Sequence, residues 1–186
     1  MTTIFVAGSI NIKNLDHQVR ERLDRIIDSG FSIVVGDADG ADSSIQSYLA
    51  GKQAQNITVF CSGENPRNNL GGWPVHHVAA KASPGTRAFF TAKDIEMARV
   101  ADYGLMIWDA KSTGTLSNVL ELLQQKKKAV VFVNKDKDFV NVGSLEQLHN
   151  LLSRMSSHAH MKAEQKIGLS SKLNALKYEQ SEMFAH

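Results

Sequence analysis

The amino-acid sequence predicts an α/β fold: a single domain built on a doubly wound parallel sheet of about five strands. Two observations carry that expectation. Five short apolar runs rich in β-branched residues recur along the chain, Ile4–Ala7, Phe31–Val35, Ile57–Phe60, Tyr103–Trp108 and Ala129–Val133, and they read as fully buried strands. Helical segments separate them, and a strand–helix–strand rhythm means parallel strands covered on both faces, joined by right-handed crossovers.

The elements follow in order. After the first strand, Leu15, Val19, Leu23, Ile26 and Ile27 fall at helical spacing, and Gly30 supplies the stop. The second crossover helix runs from about Ala41 to Ala50 and ends at Gly51. The rhythm breaks at residues 62–90, where Gly63, Pro66, Gly71, Gly72, Pro74, Pro84 and Gly85 crowd together. A structureless insertion this long is commonly a functional loop or lid. From Thr91 a helix leads to the fourth strand, and from Leu116 another leads to the fifth. The segment 134–143, NKDKDFVNVG, reads as a solvated loop, and Leu145, Leu148, Leu151 and Leu152 then mark a helix. These elements make a domain over 1–155. Residues 156–186 form a polar C-terminal helical extension or tail whose sparse apolar positions, among them Met161, Leu169 and Leu173, suit docking on the domain or on a second subunit.

Composition narrows the function classes. A chain of 186 residues buries roughly 70 % of its unfolded surface, enough for a self-sufficient core. The single cysteine, Cys61, excludes an internal disulfide and a cysteine-based zinc site, which fits a reducing cytoplasm. It closes an apolar strand, so its expected role is structural rather than nucleophilic. The N-terminus MTTIFVAGS lacks a signal-peptide pattern, and no apolar run approaches the ~20 residues of a membrane span. A net charge of +2 is too mild and too evenly spread to imply nucleic acid. The dense cluster Lys126-Lys127-Lys128 sits at a predicted helix end, where cations meet the helix dipole favourably. No metal and no cofactor is expected.

Three turns at strand ends carry the chemistry. In a sheet of order 3-2-1-4-5 the first and fourth strands flank the switch point, so their carboxyl-end loops face each other across a ligand crevice. The first loop holds Gly8, which lets a backbone approach closely, and Ser9, which offers a hydroxyl. The second, Gly36-Asp37-Ala38-Asp39-Gly40-Ala41-Asp42, adds three carboxylates that would bind a metal, contact ribose hydroxyls or cap the next helix; calcium is improbable without its loop pattern. The third, after Asp109, is Lys111-Ser112-Thr113-Gly114-Thr115, where hydroxyls, a permissive glycine and a helix start together suit a phosphate; helix capping uses the same N–H groups. Lys93, Arg87 and Arg67 would neutralise phosphate charge, with Lys81 a further cation on the insertion. Trp73 is the better candidate to stack a base, Trp108 being half-buried structure, and of His76 and His77 at most one would reach the site.

Two stretches, VVGDADGADSSIQSYL and KDIEMARVADYGLMIWDAKSTGT, together resemble the SLOG superfamily, which contains the lonely-guy phosphoribohydrolases and DNA-processing protein A. The pattern is most similar to that of small YspA-type (YpsA-related) members, and it covers about residues 4–133. The resemblance implies a Rossmann-like fold that binds a nucleotide or nucleotide-derived ligand, as a sensor or sequestering protein and commonly as a homo-oligomer. Lonely-guy enzymes carry roughly P-G-G-x-G-T-x-x-E, whose Glu helps to cleave an N-glycosidic bond. Aligning Gly114-Thr115 places Asn118 at that Glu, and Glu121, three residues on, is the carboxylate that would substitute as a catalytic group. The resemblance thus leaves open a nucleotide N-glycosidase or deoxyribosyltransferase-like enzyme, and, through DNA-processing protein A, single-stranded nucleic-acid binding.

Overall fold

The computed structural model describes residues 1–185; His186, the last residue of the C-terminal stretch, lies outside them. Its centre is a mostly parallel sheet of seven strands: β1 (Thr3–Gly8), β2 (Ser32–Gly36), β3 (Ile57–Ser62), β4 (Val75–Val78), β5 (Tyr103–Trp108), β6 (Lys128–Val133) and β7 (Asp138–Val142). The spatial order is β4-β3-β2-β1-β5-β6-β7. The five expected strands form its interior in the expected order, and two unexpected edge strands extend it.

Both additions have local causes. β7 reverses on β6 through a tight turn in which Lys137 takes φ 54°, and the pair runs antiparallel with Phe132 opposite Phe139. Its sequence, DFVNV, mixes polar and apolar residues because it is an edge strand, and that mixture reads as loop. β4, VHHV, runs parallel to β3 with both histidines exposed, so it shows no buried run at all.

Helices cover both faces. On one side α1 (His17–Asp28) and α2 (Ala41–Gly51) bury Val19, Leu23, Ile45 and Leu49 against Ile4, Val6, Ile33, Val35 and Ile107. On the other, α3 (Arg87–Val100) and α4 (Thr113–Gln124) bury Met97, Leu116, Val119 and Leu122 against Phe5, Phe60, Met106 and Val131. The caps explain the helix starts. Asp16 accepts from the Gln18 N–H and Thr86 from the Phe89 N–H, so α3 begins four residues before Thr91. α4 likewise begins at Thr113 rather than Leu116. The expected basic helix end has a more specific chemistry: Lys127 Nζ donates to the carbonyls of Ala98 and Arg99, closing the C-terminus of α3.

The 62–90 segment is not structureless. Beyond β4, its first half is stapled to the β2–α2 turn. Arg67 pairs with Asp37 at 2.8 Å, and Asn68 donates to the Asp37 carbonyl and the Asp39 carboxylate. Buried Gln46 donates to Gly36 O and Asn68 O and accepts from the Leu70 N–H. Trp73 is 8 % exposed, packs with the α1–α2 core and donates its Nε1–H to Ala54 O at 2.9 Å. It is therefore core and not a free stacking platform; the indole buries where its one polar atom finds a carbonyl. Trp108, expected half-buried, is fully buried and donates to Ser112 O.

The C-terminal stretch continues as α5 (Leu145–Leu152), α6 (Ser157–Ile167) and α7 (Leu169–Met183), with Gly168 in the left-handed region between the last two. Ala159, Ala163 and Leu169 join the core on the α4 side, so the extension docks on the domain.

Candidate anion-binding crevice

The carboxyl ends of β1, β2 and β5 and the first turns of α3 and α4 enclose a crevice of about 370 Å³. The β1 turn closes its floor. Buried Ser9 donates its N–H to Ile107 O at 2.9 Å, while its hydroxyl accepts from the Asp109 N–H at 3.1 Å and lies 3.3 Å from Thr115 Oγ1. That hydroxyl thus ties β1 to β5 and α4 instead of facing a ligand.

At the end of β2 the carboxylates divide. Asp37 is buried, and its carboxylate receives the Arg67 guanidinium and the Arg67 backbone N–H. Burial pushes its carboxyl up, but the Arg67 hydrogen bonds and charge outweigh that, and the net shift is downward. Asp39 is exposed and receives Asn68. Asp42 enters the crevice itself. It is 6 % exposed and lies 3.9 Å from Lys93 Nζ, whose closer partner is Asp94 at 2.8 Å. Burial pushes the Asp42 carboxyl up to about 6, Asp94 and Asp37 adding repulsion while Lys93 opposes it. Burial pulls Lys93 down, but the charges of Asp94 and Asp42 more than compensate and hold it cationic. Gly36 makes room for this cluster, because a Cβ there would meet Lys93 Nζ at 2.6 Å and the Asp42 carboxylate as well.

The β5 end prepares the start of α4. Ala110 takes φ 62°, and Asp109 Oδ1 accepts from the N–H groups of Lys111 and Ser112 at 2.9 and 2.6 Å. No side chain caps α4: Ser112 occupies the N-cap position without a capping hydrogen bond, which leaves the first-turn N–H groups of Thr113, Gly114 and Thr115 to the crevice. Gly114 is helical, not left-handed, and a Cβ there would find its nearest atom, Ser112 Oγ, 4.0 Å away. From the opposite wall Arg87 reaches over to donate to Thr113 Oγ1 at 3.0 Å. Among the described residues Arg87 has no carboxylate partner.

Of the residues singled out from the sequence, Gly8, Arg67, Arg87, Lys93, Ser112, Thr113, Gly114, Thr115 and Asn118 come together as crevice lining. Ser9, Gly36, Asp37, Gly40 and Asp109 support it from behind, Gly40 as the N-cap of α2 at φ 77°. Lys111 and Asp39 are exposed and do not line the crevice. Glu121 sits one turn beyond Asn118 in a separate groove between α4 and α7, accepting from Gln125, because that further turn along the helix axis carries it past the crevice lining. His76 stacks on Phe60 with centroids 4.4 Å apart, and His77 lies near Cys61 and Gly63 O; neither lines the crevice. Cys61 is buried, with its thiol pushed up by burial. Ile10 lines the crevice from the β1 loop that was expected to face it, and Asp94 and Phe90 line it without having been singled out; the only signal for them was the adjacency of Asp94 to Lys93. No group of three or more metal-ligating side chains occurs among the described residues, and none of their helices is long and apolar enough to cross a membrane.

Comparison of the chain with protein-family models, with curated proteins and with solved structures finds no match.

Proposed function

We propose that the crevice binds a nucleotide or nucleotide-derived ligand, held by its phosphate at the start of α4. The observation that carries this reading is the pairing of an uncapped helix N-terminus with Arg87, a cation facing it without a carboxylate. Helix N–H groups and a guanidinium are complementary to a phosphate dianion in both charge and hydrogen-bond geometry. Lys93 is a weaker candidate for that role, being held between Asp94 and Asp42. Phe90, with the Arg67 guanidinium 4.4 Å over its ring, and the exposed Ile10 give the mouth an apolar rim for a base. In this reading the protein is a sensor or sequesters its ligand, alone or as a homo-oligomer.

The test is a thermal-shift panel of nucleoside mono-, di- and triphosphates, cyclic nucleotides and ADP-ribose. A ligand at 100 times its dissociation constant stabilises by about 2.7 kcal/mol, a shift of several degrees for a chain this size. At least one member should raise the melting temperature of the parent and not that of Arg87→Ala; a flat panel rejects the reading.

A second reading, cleavage of a nucleotide N-glycosidic bond, draws on one observation: Asp42 and Asp94 place two carboxylates at the crevice, and Asp42 stays protonated to about pH 6. Release of free base, lost in Asp94→Asn, supports it; a nucleotide bound but recovered intact removes it.

A further inference from the structure

The face of the sheet that carries α1 and α2 is covered unevenly. The C-terminal helices α5, α6 and α7 all return to the opposite face, so beside α1 the strands β5, β6 and β7 have no helix of their own, and Val130 and Phe139 stay half-buried. There the chain leaves a slot of about 170 Å³ between α1 and the amino ends of β1, β5 and β6, walled by Ile4, Ile26, Leu105 and Val130. Parallel pairing sets Ile4, Tyr103 and Lys128 in one row across the three strands, so their side chains share this face. Arg22, one turn before Ile26, reaches the slot from α1. Its guanidinium lies 4.3 Å over the Phe139 ring, Lys128 is exposed, and neither cation pairs with a carboxylate among the described residues. Asp102, next to Tyr103, does not line the slot and accepts from the Thr3 N–H.

Size and charge together define the occupant. A cavity of about 150 Å³ lined by aliphatic side chains takes benzene, so this slot has room for one ring and little more. Two cations without partners beside an apolar wall are complementary to a single anionic group carried on an apolar body. A polyol would strand hydroxyls against Leu105 and Val130, and a neutral hydrocarbon would leave both cations unused. We infer that the slot binds an aromatic monocarboxylate of one ring, the ring against the apolar wall and beside the half-exposed Tyr103, the carboxylate taken by Arg22 and Lys128. The site is separate from the crevice, which opens at the other ends of β1 and β5, about 16 Å away along the strands. It therefore stands independently of the nucleotide reading.

The experiment titrates phenylacetate and its neutral counterpart phenylacetamide into the parent, Arg22→Gln, Lys128→Gln and Val130→Phe, with binding read by ligand-detected NMR at millimolar concentration and constant ionic strength. The parent should bind the acid roughly tenfold more tightly than the amide, the scale of one hydrogen bond between charged groups. Arg22→Gln and Lys128→Gln should each reduce that ratio and leave amide binding in place, whereas Val130→Phe, which fills the slot, should lose both ligands. Inorganic phosphate should not compete. Should Val130→Phe fail to fold, the two surface substitutions still carry the test. Absence of binding by the parent, equal binding of acid and amide, or a ratio that survives both charge substitutions overturns the inference. Competition by phosphate overturns it too, by placing the acid at Arg87 in the crevice. So does sedimentation that finds a parent dimer dissociated by Val130→Phe, since a second copy would then occupy the slot.

Discussion

At the scale of single residues, the crevice depends on how three charges share little space. Asp42 titrates near 6 in the folded chain against an ordinary value of 3.8. Its protonated form is thus favoured by folding, and the stability it contributes is complete below pH 4 and lost as pH rises through 6. Urea unfolding of the parent and of Asp42→Asn should give curves whose difference shifts against the parent by about 1–3 kcal/mol between pH 4 and 7. Parallel curves would remove Asp42 as the titrating group. Asp37, held low by Arg67, acts with the opposite sign and at lower pH, so it does not confuse that window. Two glycines make a matched pair of tests. Gly36→Ala pushes a methyl into Lys93 and Asp42 and should destabilise by about 1–3 kcal/mol. Gly114→Val meets open space, so chemical denaturation should find the fold within about 1 kcal/mol of the parent while calorimetric titration finds nucleotide binding lost. A folded Gly114→Val protein that binds as the parent does would move the phosphate away from this turn.

At the scale of elements, the legible parts were those whose signal is local. Five strands announced themselves as apolar runs because they are buried on both faces, and the loops at their ends could be named as site candidates because helix starts after strands are written in hydroxyls and glycines. What stayed hidden depends on partners distant in sequence. β7 and β4 are half-solvated edges and read as loop; Asp37 could be listed as a ribose contact but its claim by Arg67, thirty residues on, has no local sign. Trp73 shows the same limit, since a tryptophan among glycines and a proline looks exposed until Ala54 O supplies a partner. The stapled loop is therefore an element in its own right. Trp73→Ala should cost about 3–5 kcal/mol in a denaturant titration, the range for a large buried aromatic. Ligand addition should leave the fluorescence of Trp73, isolated in a Trp108→Phe background, unchanged; strong quenching there would restore its role as a stacking platform.

At the scale of the molecule, the C-terminal helices belong to the core unequally. α6 contributes Ala159 and Ala163 to the main apolar cluster, whereas α7 buries Leu169 at its start and rests Leu173 and Leu176 partly against it. A chain ending after Leu176 should melt close to the full-length protein, and a chain ending after Met155 should melt lower and expose apolar surface of α4 to a dye; equal melting of the two truncations contradicts that division. The pairing at the centre of the sheet has a consequence for how the protein is made. β1 sits between β2 and β5, yet Ile4 meets Tyr103 ninety-nine positions later, as Thr3 N–H meets the Asp102 carboxylate. Closing a flexible loop of that length costs about 4 kcal/mol beyond the constant part. On the ribosome, β1, β2 and β3 can associate early, but the crevice has no second wall until β5 and the first turns of α4 have emerged. A nascent chain halted before Tyr103 therefore holds the first strand with one neighbour missing, a bare flank open to wrong pairing. Synthesis through that point converts an unprotected intermediate into a chain whose first strand is paired on both sides.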